Sequence, residues 1–333
     1  MLNQVEHLME AGTDGDPLFK SGHSQQTGEF LHDLQHALAV APHRISPKYF
    51  YDVRGSQLFD RICQLPEYYP TRTELSILSR HAEEIASQIG PRAEIIEFGA
   101  GSLSKVRLLL NALEKPARYL PIDISGAHLA TAAQMLQQDY PGLEVKPVTA
   151  DYTQRLQLPA PLKGQGRRVG FFPGSTIGNF TPDEGLAFLR SAACVLHGGA
   201  LLLGADLVKS PDVLHAAYND AEGVTAQFNL NLLARANREL GTHFVLEQFA
   251  HSAFYNAPLR RIEMHLVSRC RQQIAVGGEC YELAEGDTLH TENSYKFTVD
   301  GLRAQAVRAG YRPGPVWIDS EHLFSVHWLN APD

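Results

Sequence analysis

Three features of this sequence predict an α/β fold: a Rossmann-like, mostly parallel sheet carrying a second α+β unit. Between 72 and about 210, apolar strand-like runs alternate with helical ones. The first run ends in a glycine-rich turn, Glu97-Phe98-Gly99-Ala100-Gly101. From 211 to 297 the alternation gives way to helices and then to strands that read as antiparallel. Strands separated by helices imply a parallel sheet covered on both faces. An insertion with its own pattern implies a second unit, as the length of 333 residues allows.

The elements follow in order. Residues 1–25 are polar and glycine-rich and read as a flexible lead-in. A helix is expected over 28–41 and another over 73–89. Strands are expected at AEIIEF (93–98), RYLPID (118–123), EVKPVTA (144–150), VGFFPGS (169–175) and ALLLGADL (200–207). Helices at 103–114, 126–139 and 182–196 lie between them. One or two long helices are expected over 211–240. HFVLEQFAHSAFYN, RRIEMHLVSR, QIAVGGECYEL and HTENSYKF then read as antiparallel strands. A helix after 298 leads into VWIDS and FSVHWLN, a closing hairpin that returns to the first sheet. The expected division is 72–210 with 298–333 as one domain, and 26–71 with 211–297 as the other.

Composition narrows the function. A net charge of −8 with no long basic run argues against nucleic acid as a partner. Four cysteines form no CxxC pair, and no His/Cys cluster has metal-ligand spacing, so no metal is expected and the thiols read as reduced. The N-terminus carries acids where a signal peptide needs a basic start. No apolar run approaches the ~20 residues that span a bilayer. A soluble, cytoplasmic, monomeric protein acting on a small molecule is the expectation.

Open α/β sheets bind ligands at the carboxyl ends of their strands. Here the first strand ends in acid-x-Gly-x-Gly, and the third glycine of the dinucleotide fingerprint is absent. The second strand ends at Asp123, 24 positions after Gly99, where a carboxylate can accept both ribose hydroxyls. Asp151-Tyr152 follows the third strand and suits the amino group and face of an adenine. As helix caps or loop acids the two aspartates would mean nothing, but three strand ends with suitable residues favour a nucleoside. Without a complete phosphate turn, S-adenosyl-L-methionine fits better than a pyrophosphate cofactor.

Three stretches carry a specific resemblance: YFYDVRGSQLFDRICQLPEYYPTRTE (49–74), FFPGSTIGNFTP (171–182) and LLGADLVKSPDVLHAAYNDAEGVTAQFN (202–229). With RIEMHL and TENSYKF they resemble the histidine-specific Nα-methyltransferases of the ergothioneine pathway, from about 28 to 330. The resemblance implies a class I methyltransferase domain with a substrate domain built from the N-terminal segment and the insertion. It implies S-adenosylmethionine as cofactor and L-histidine converted to hercynine in three transfers. Gly99, Gly101, Lys105, Asp123 and Asp151 fall in the cofactor motif. Tyr68 and Asn179 match the positions that hold the α-amine, with Gly174 lining the same place. Tyr218 matches a carboxylate contact, and Tyr51, Thr225, Met264, Glu292 and Ser294 match the ring pocket. Such proteins vary at several places near these motifs; here the turn reads Ala-Gly-Ser-Leu, Phe172-Pro173 precede Gly174, and Asn293 and Tyr295 flank Ser294.

The octapeptide HTENSYKF shows the chemistry independently. In a strand, Glu292 and Ser294 share a face. One accepts when ionised and the other donates or accepts, so a ring with two nitrogens fits between them. By itself the pair reads as a solvated strand face, Met264 as core filler, Thr225 as a hydroxyl bonded to its own helix, and Asn179 as a turn residue. The alternatives are an Nα-methyltransferase of another aromatic amino acid, which Glu292 opposes because an indole has one N–H, and an NAD-dependent oxidoreductase, which the missing glycine opposes.

Overall fold

The computed structural model describes residues 17–333 except Ser102, Ser125 and Gln165. Residues 1–16 of the expected flexible lead-in lie outside it. Helix α1 runs Pro17–Ala39, beginning well before the expected 28.

The large sheet has eight strands. β1 (Glu94–Phe98) lies between β2 (Arg118–Asp123) and β5 (Arg168–Phe172), and all three are parallel. β6 (Ala200–Asp206) continues from β5 in parallel. β13 (Phe324–Asn330) then pairs antiparallel with β6, and β12 (Arg312–Ile318) with β13, which is the closing hairpin the sequence predicts. The expected strand 144–150 is split into β3 (Glu144–Val145) and β4 (Val148–Thr149), both paired to β2. Pro147 lies between them, and proline has no N–H for the ladder.

Helices α5 (Ser104–Ala112), α6 (Gly126–Asp139), α7 (Pro182–Leu196) and α10 (Val299–Arg308) connect the strands. A full capping box starts α7, with Thr181 and Glu184 each satisfying the other's backbone. The single helix expected over 73–89 is two, α3 (Tyr69–Arg80) and α4 (Ala82–Ile89), broken at His81. Apolar cores cover both faces of the sheet, and the central strands are buried throughout. Such strands read as continuous apolar runs rather than alternating ones.

Residues 211–240 form α8 (Pro211–Tyr218) and α9 (Val224–Leu240). β7 (Phe249–Asn256), β8 (Arg261–Ser268) and β11 (Thr288–Tyr295) make a three-stranded antiparallel sheet. β9 (Gln272–Val276) and β10 (Glu279–Leu283) stand apart as a hairpin turned by Gly277-Gly278, both at positive φ. A third core joins this region to residues 30–69: Phe30, Leu34 and Phe50 pack in one cluster with Phe228, Leu232, Met264 and Leu289. α2 (Val53–Ile62), capped by Asp52, lies against α9.

Candidate active site

The glycine turn, Asp123 and Asp151 all stand at the carboxyl end of the large sheet, on β1, β2 and just after β4. β1 is where the strand order reverses, since β2 lies on one side and β5 on the other. Gly99 has φ +75°, a backbone that favours glycine, and an added Cβ would touch the Tyr152 ring at 3.4 Å. At Gly101 an added Cβ would meet nothing within 4 Å, so the backbone here faces open space. Tyr152 packs edge-on against Phe172 and Phe188 at 5.8 and 6.0 Å. Burial pushes its hydroxyl pKa up, and the charges of Asp123 and Asp151 add to the shift. One oxygen of Asp151 accepts from the Thr153 amide at 2.8 Å, so it also shapes its own turn.

Lys105, which the sequence places in the cofactor motif, makes a buried ion pair. Its ammonium lies 2.6 Å from Glu74, a fully buried acid of α3. Glu74 also accepts from the Gly174 amide at 2.9 Å. Gly204 makes room for this carboxylate, since a Cβ there would lie 2.0 Å from it. Gly174 at φ +77° and Ser175 at φ +56° turn the chain sharply into the single 3₁₀ turn Thr176–Asn179. That turn presents Asn179, which is half-buried. Gly178 lets it press on β11, because a Cβ would meet the Tyr295 carbonyl oxygen at 2.8 Å.

β11 carries the predicted ring contacts. Its register against β8 slips between His290 and Glu292. The extra residue, Thr291, is buried, and its hydroxyl donates to the Asn229 side-chain oxygen at 2.8 Å. The bulge puts His290 opposite His265 and Glu292 opposite Met264, so Glu292 and Ser294 share Met264's face while His290 joins the other. Around that face Tyr51 meets Phe59 and Phe228 edge-on at 5.8 Å, and Tyr68 meets Tyr218 at 6.4 Å. Tyr218 donates to Ser294 at 2.7 Å. Thr225, buried at the start of α9, donates its amide to Asp220 at 2.8 Å.

Tyr51, Tyr68 and Glu292 are half-buried. Burial raises both tyrosine hydroxyls well above their usual pKa, and Glu292 adds to each shift. Burial pushes the Glu292 carboxyl to about 7, although Lys296 draws it down. Tyr51 also feels the charge of Asp123, at the end of β2.

A buried ionic group without a role in the sequence reading joins the two regions. Asp206, at the end of β6, accepts from Tyr69 at 2.7 Å and pairs with Lys209 at 2.5 Å and Lys296 at 2.8 Å. Its amide donates to Ser175 at 2.9 Å. Burial alone would raise the Asp206 pKa, but the two lysines hold it below the usual range. Nothing in sequence distinguishes these residues, because lysine is almost always exposed.

Among the described residues one group, Glu263, His265 and His290, is close enough to hold a metal ion, on the face of the small sheet away from Met264. Spacing along the chain hides it, since His290 arrives across the ladder. Glu263 already pairs with Arg261 at 2.6 Å and accepts from Asn256 at 2.9 Å. Among the described residues no helix is long and apolar enough to cross a membrane.

The chain is 42% identical to a histidine N-alpha-methyltransferase of Mycolicibacterium smegmatis, over 86% of this chain and 90% of that one. It is 40% identical to a histidine N-alpha-methyltransferase of Mycobacterium tuberculosis, over 88% and 92%. A 4-dimethylallyltryptophan N-methyltransferase of Aspergillus fumigatus is 28% identical, over 80% and 84%. Residues 30–331 match the model of the histidine-specific, S-adenosylmethionine-dependent methyltransferases, and the chain belongs to that family.

Proposed function

We propose that this enzyme transfers three methyl groups from S-adenosyl-L-methionine to the α-amine of L-histidine, giving hercynine, as a step of ergothioneine biosynthesis. The observation that carries the reading is the bulged strand β11. It sets Glu292 opposite Met264 and Ser294 opposite Ile262, on one face of the small sheet, and Glu292 acts on Tyr51, which also feels the charge of Asp123. An ionised acid and a hydroxyl two residues apart match the two nitrogens of an imidazole and have no use for an indole's second ring edge. The tryptophan-type relative keeps another aromatic amine as the second reading.

In this reading Asp123 binds the ribose, Asp151 and Tyr152 flank the adenine, and Gly99 and Gly101 let the backbone approach. When bound, the cofactor supplies an activated methyl group on a sulfonium. The protein's task is to hold an amine with its lone pair in line with that methyl, an alignment that can contribute several kcal/mol. Tyr68 and Asn179 orient the nitrogen, Gly174 keeps the space beside it open, and Tyr218, whose hydroxyl proton goes to Ser294, borders the place of the carboxylate. Tyr51, Thr225 and Met264 close around the ring. A pocket for three transfers must take primary, secondary and tertiary amines, which neutral partners permit and a fixed carboxylate at the nitrogen would resist. Residues 26–71 with 211–297 form the substrate domain, 72–210 with 298–333 the cofactor domain, and the protein works as a cytoplasmic monomer.

The test is incubation of the purified protein with S-adenosylmethionine and a panel of amino acids, read by mass. Histidine gaining three methyl groups supports the reading. Preference for tryptophan, or arrest after one methyl, overturns it.

A further inference from the structure

Lys296 is among the most enclosed charges in the molecule, its side chain 1% exposed. Its ammonium has three protons and three partners: Asp206 at 2.8 Å, Ser294 Oγ at 2.8 Å and the Tyr218 hydroxyl at 3.3 Å. A lysine ammonium only donates. Ser294 Oγ and the Tyr218 oxygen must therefore both accept from it. The ammonium cannot turn away, because Asp206 is itself fixed by Tyr69 and Lys209.

One proton remains to be shared between the Tyr218 and Ser294 hydroxyls, which are 2.7 Å apart. A phenol is the more acidic hydroxyl and an aliphatic oxygen the better acceptor, so Tyr218 donates. Ser294 Oγ then accepts twice, from Lys296 and from Tyr218. A serine hydroxyl has two acceptor positions and one proton. Only the proton is left for a ligand. Two residues away, Glu292 offers the opposite, an acceptor when ionised.

We propose that Lys296 is a positioning residue that commits Ser294 to donating toward the ring, so that the site takes neutral imidazole in one tautomer. The ring nitrogen facing Ser294 must carry a lone pair, and the nitrogen facing Glu292 must carry the proton. An imidazolium, protonated at both nitrogens, meets the Ser294 proton head-on. The Asp206–Lys296 pair thus passes a constraint from the end of a large-sheet strand to the ring pocket, through Ser294. This rests on the histidine reading above.

Two measurements test it. Ring-¹⁵N-labelled histidine is bound to the unmodified protein with S-adenosylhomocysteine, and the nitrogen resonances are recorded. One protonated and one bare nitrogen, without the tautomer exchange of free histidine, is expected. Two protonated nitrogens, or a persisting tautomer mixture, overturn the proposal while leaving histidine as the substrate. No binding of histidine at all overturns the substrate reading instead. In kinetics, Lys296→Gln should raise the histidine KM about tenfold, the size of one hydrogen bond, with cofactor affinity unchanged. In a Ser294→Ala background the same change should move KM by less than about twofold. Equal effects in both backgrounds would mean that Lys296 does not act through Ser294. Should Lys296→Gln fail to fold, the resonances of the unmodified protein decide.

Discussion

Glu74 and Lys105 form a buried ion pair, 2.6 Å between charged atoms, that clamps the start of α5 to the Gly174 turn. The Lys105 side chain keeps 15% of its surface and Glu74 keeps 1%. Breaking such a pair by removing one partner leaves a charge without compensation and costs about 3–5 kcal/mol. Glu74→Ala should therefore destabilise the protein by that amount in denaturant unfolding. Adding Lys105→Met removes the orphaned charge and should recover part of the loss. A double variant as unstable as the sum of the two singles would show that the pair is not coupled.

Gly101 and Gly178 make a second comparison. Gly101→Ala puts a methyl group into open space, where the cofactor is proposed to lie. Stability should stay within about 0.5 kcal/mol, while cofactor affinity falls. Gly178→Ala drives a methyl group to 2.8 Å from the backbone oxygen of Tyr295. Overpacking of this kind costs about 1–3 kcal/mol, so thermal stability should fall and histidine turnover with it. Calorimetry of cofactor binding and thermal melts read the two effects separately. Identical signatures for the two variants would contradict the open and closed surroundings assigned to them.

Much of the large sheet was legible because buried parallel strands are continuous apolar runs and their turns carry glycine. EIIEF, RYLPID and ALLLGAD all read this way. Several differences lie where one or two residues interrupt a regular pattern. His81 splits a helix, Pro147 splits a strand, and Gly277-Gly278 detaches a hairpin. The alternation that placed Glu292 and Ser294 on one face holds, but the bulge at Thr291 that chooses the face is not visible in HTENSYKF. Nor is the pairing of Lys296 with Asp206, 90 positions away. Lys105 stands in a cofactor motif, and sequence alone does not show its pairing with Glu74.

Asp123 is the most exacting test of the cofactor end. It closes β2 beside the glycine turn, and its charge is felt by Tyr51 and Tyr152. Asp123→Ala would leave the ribose hydroxyls without a charged acceptor, a loss of about 1.5–3 kcal/mol in cofactor affinity. Histidine affinity measured in the presence of saturating cofactor product should change far less. Calorimetry giving unchanged cofactor affinity would remove Asp123 from the site.

Glu292 gives the pH dependence a sign. Burial raises its carboxyl from 4.5 to about 7 in the folded protein. Below pH 4.5 both folded and unfolded chains hold the proton, and its contribution to stability is complete. Between 4.5 and 7 the unfolded chain ionises first, so stability is lost as pH rises, and above about 7 the loss is full. In melts of the ligand-free protein, Glu292→Gln should remove that component of the slope. Binding reverses the preference, since a ring N–H favours the ionised carboxylate. Histidine affinity should climb as pH rises through about 7, and binding near neutrality should release protons beyond those lost from the ligand's own amine and ring. Calorimetry in two buffers of different ionisation enthalpy counts those protons. Equal proton release by the native enzyme and Glu292→Gln would mean that Glu292 never meets the ring, and the pocket's selectivity would have to come from Ser294 and the surrounding shape.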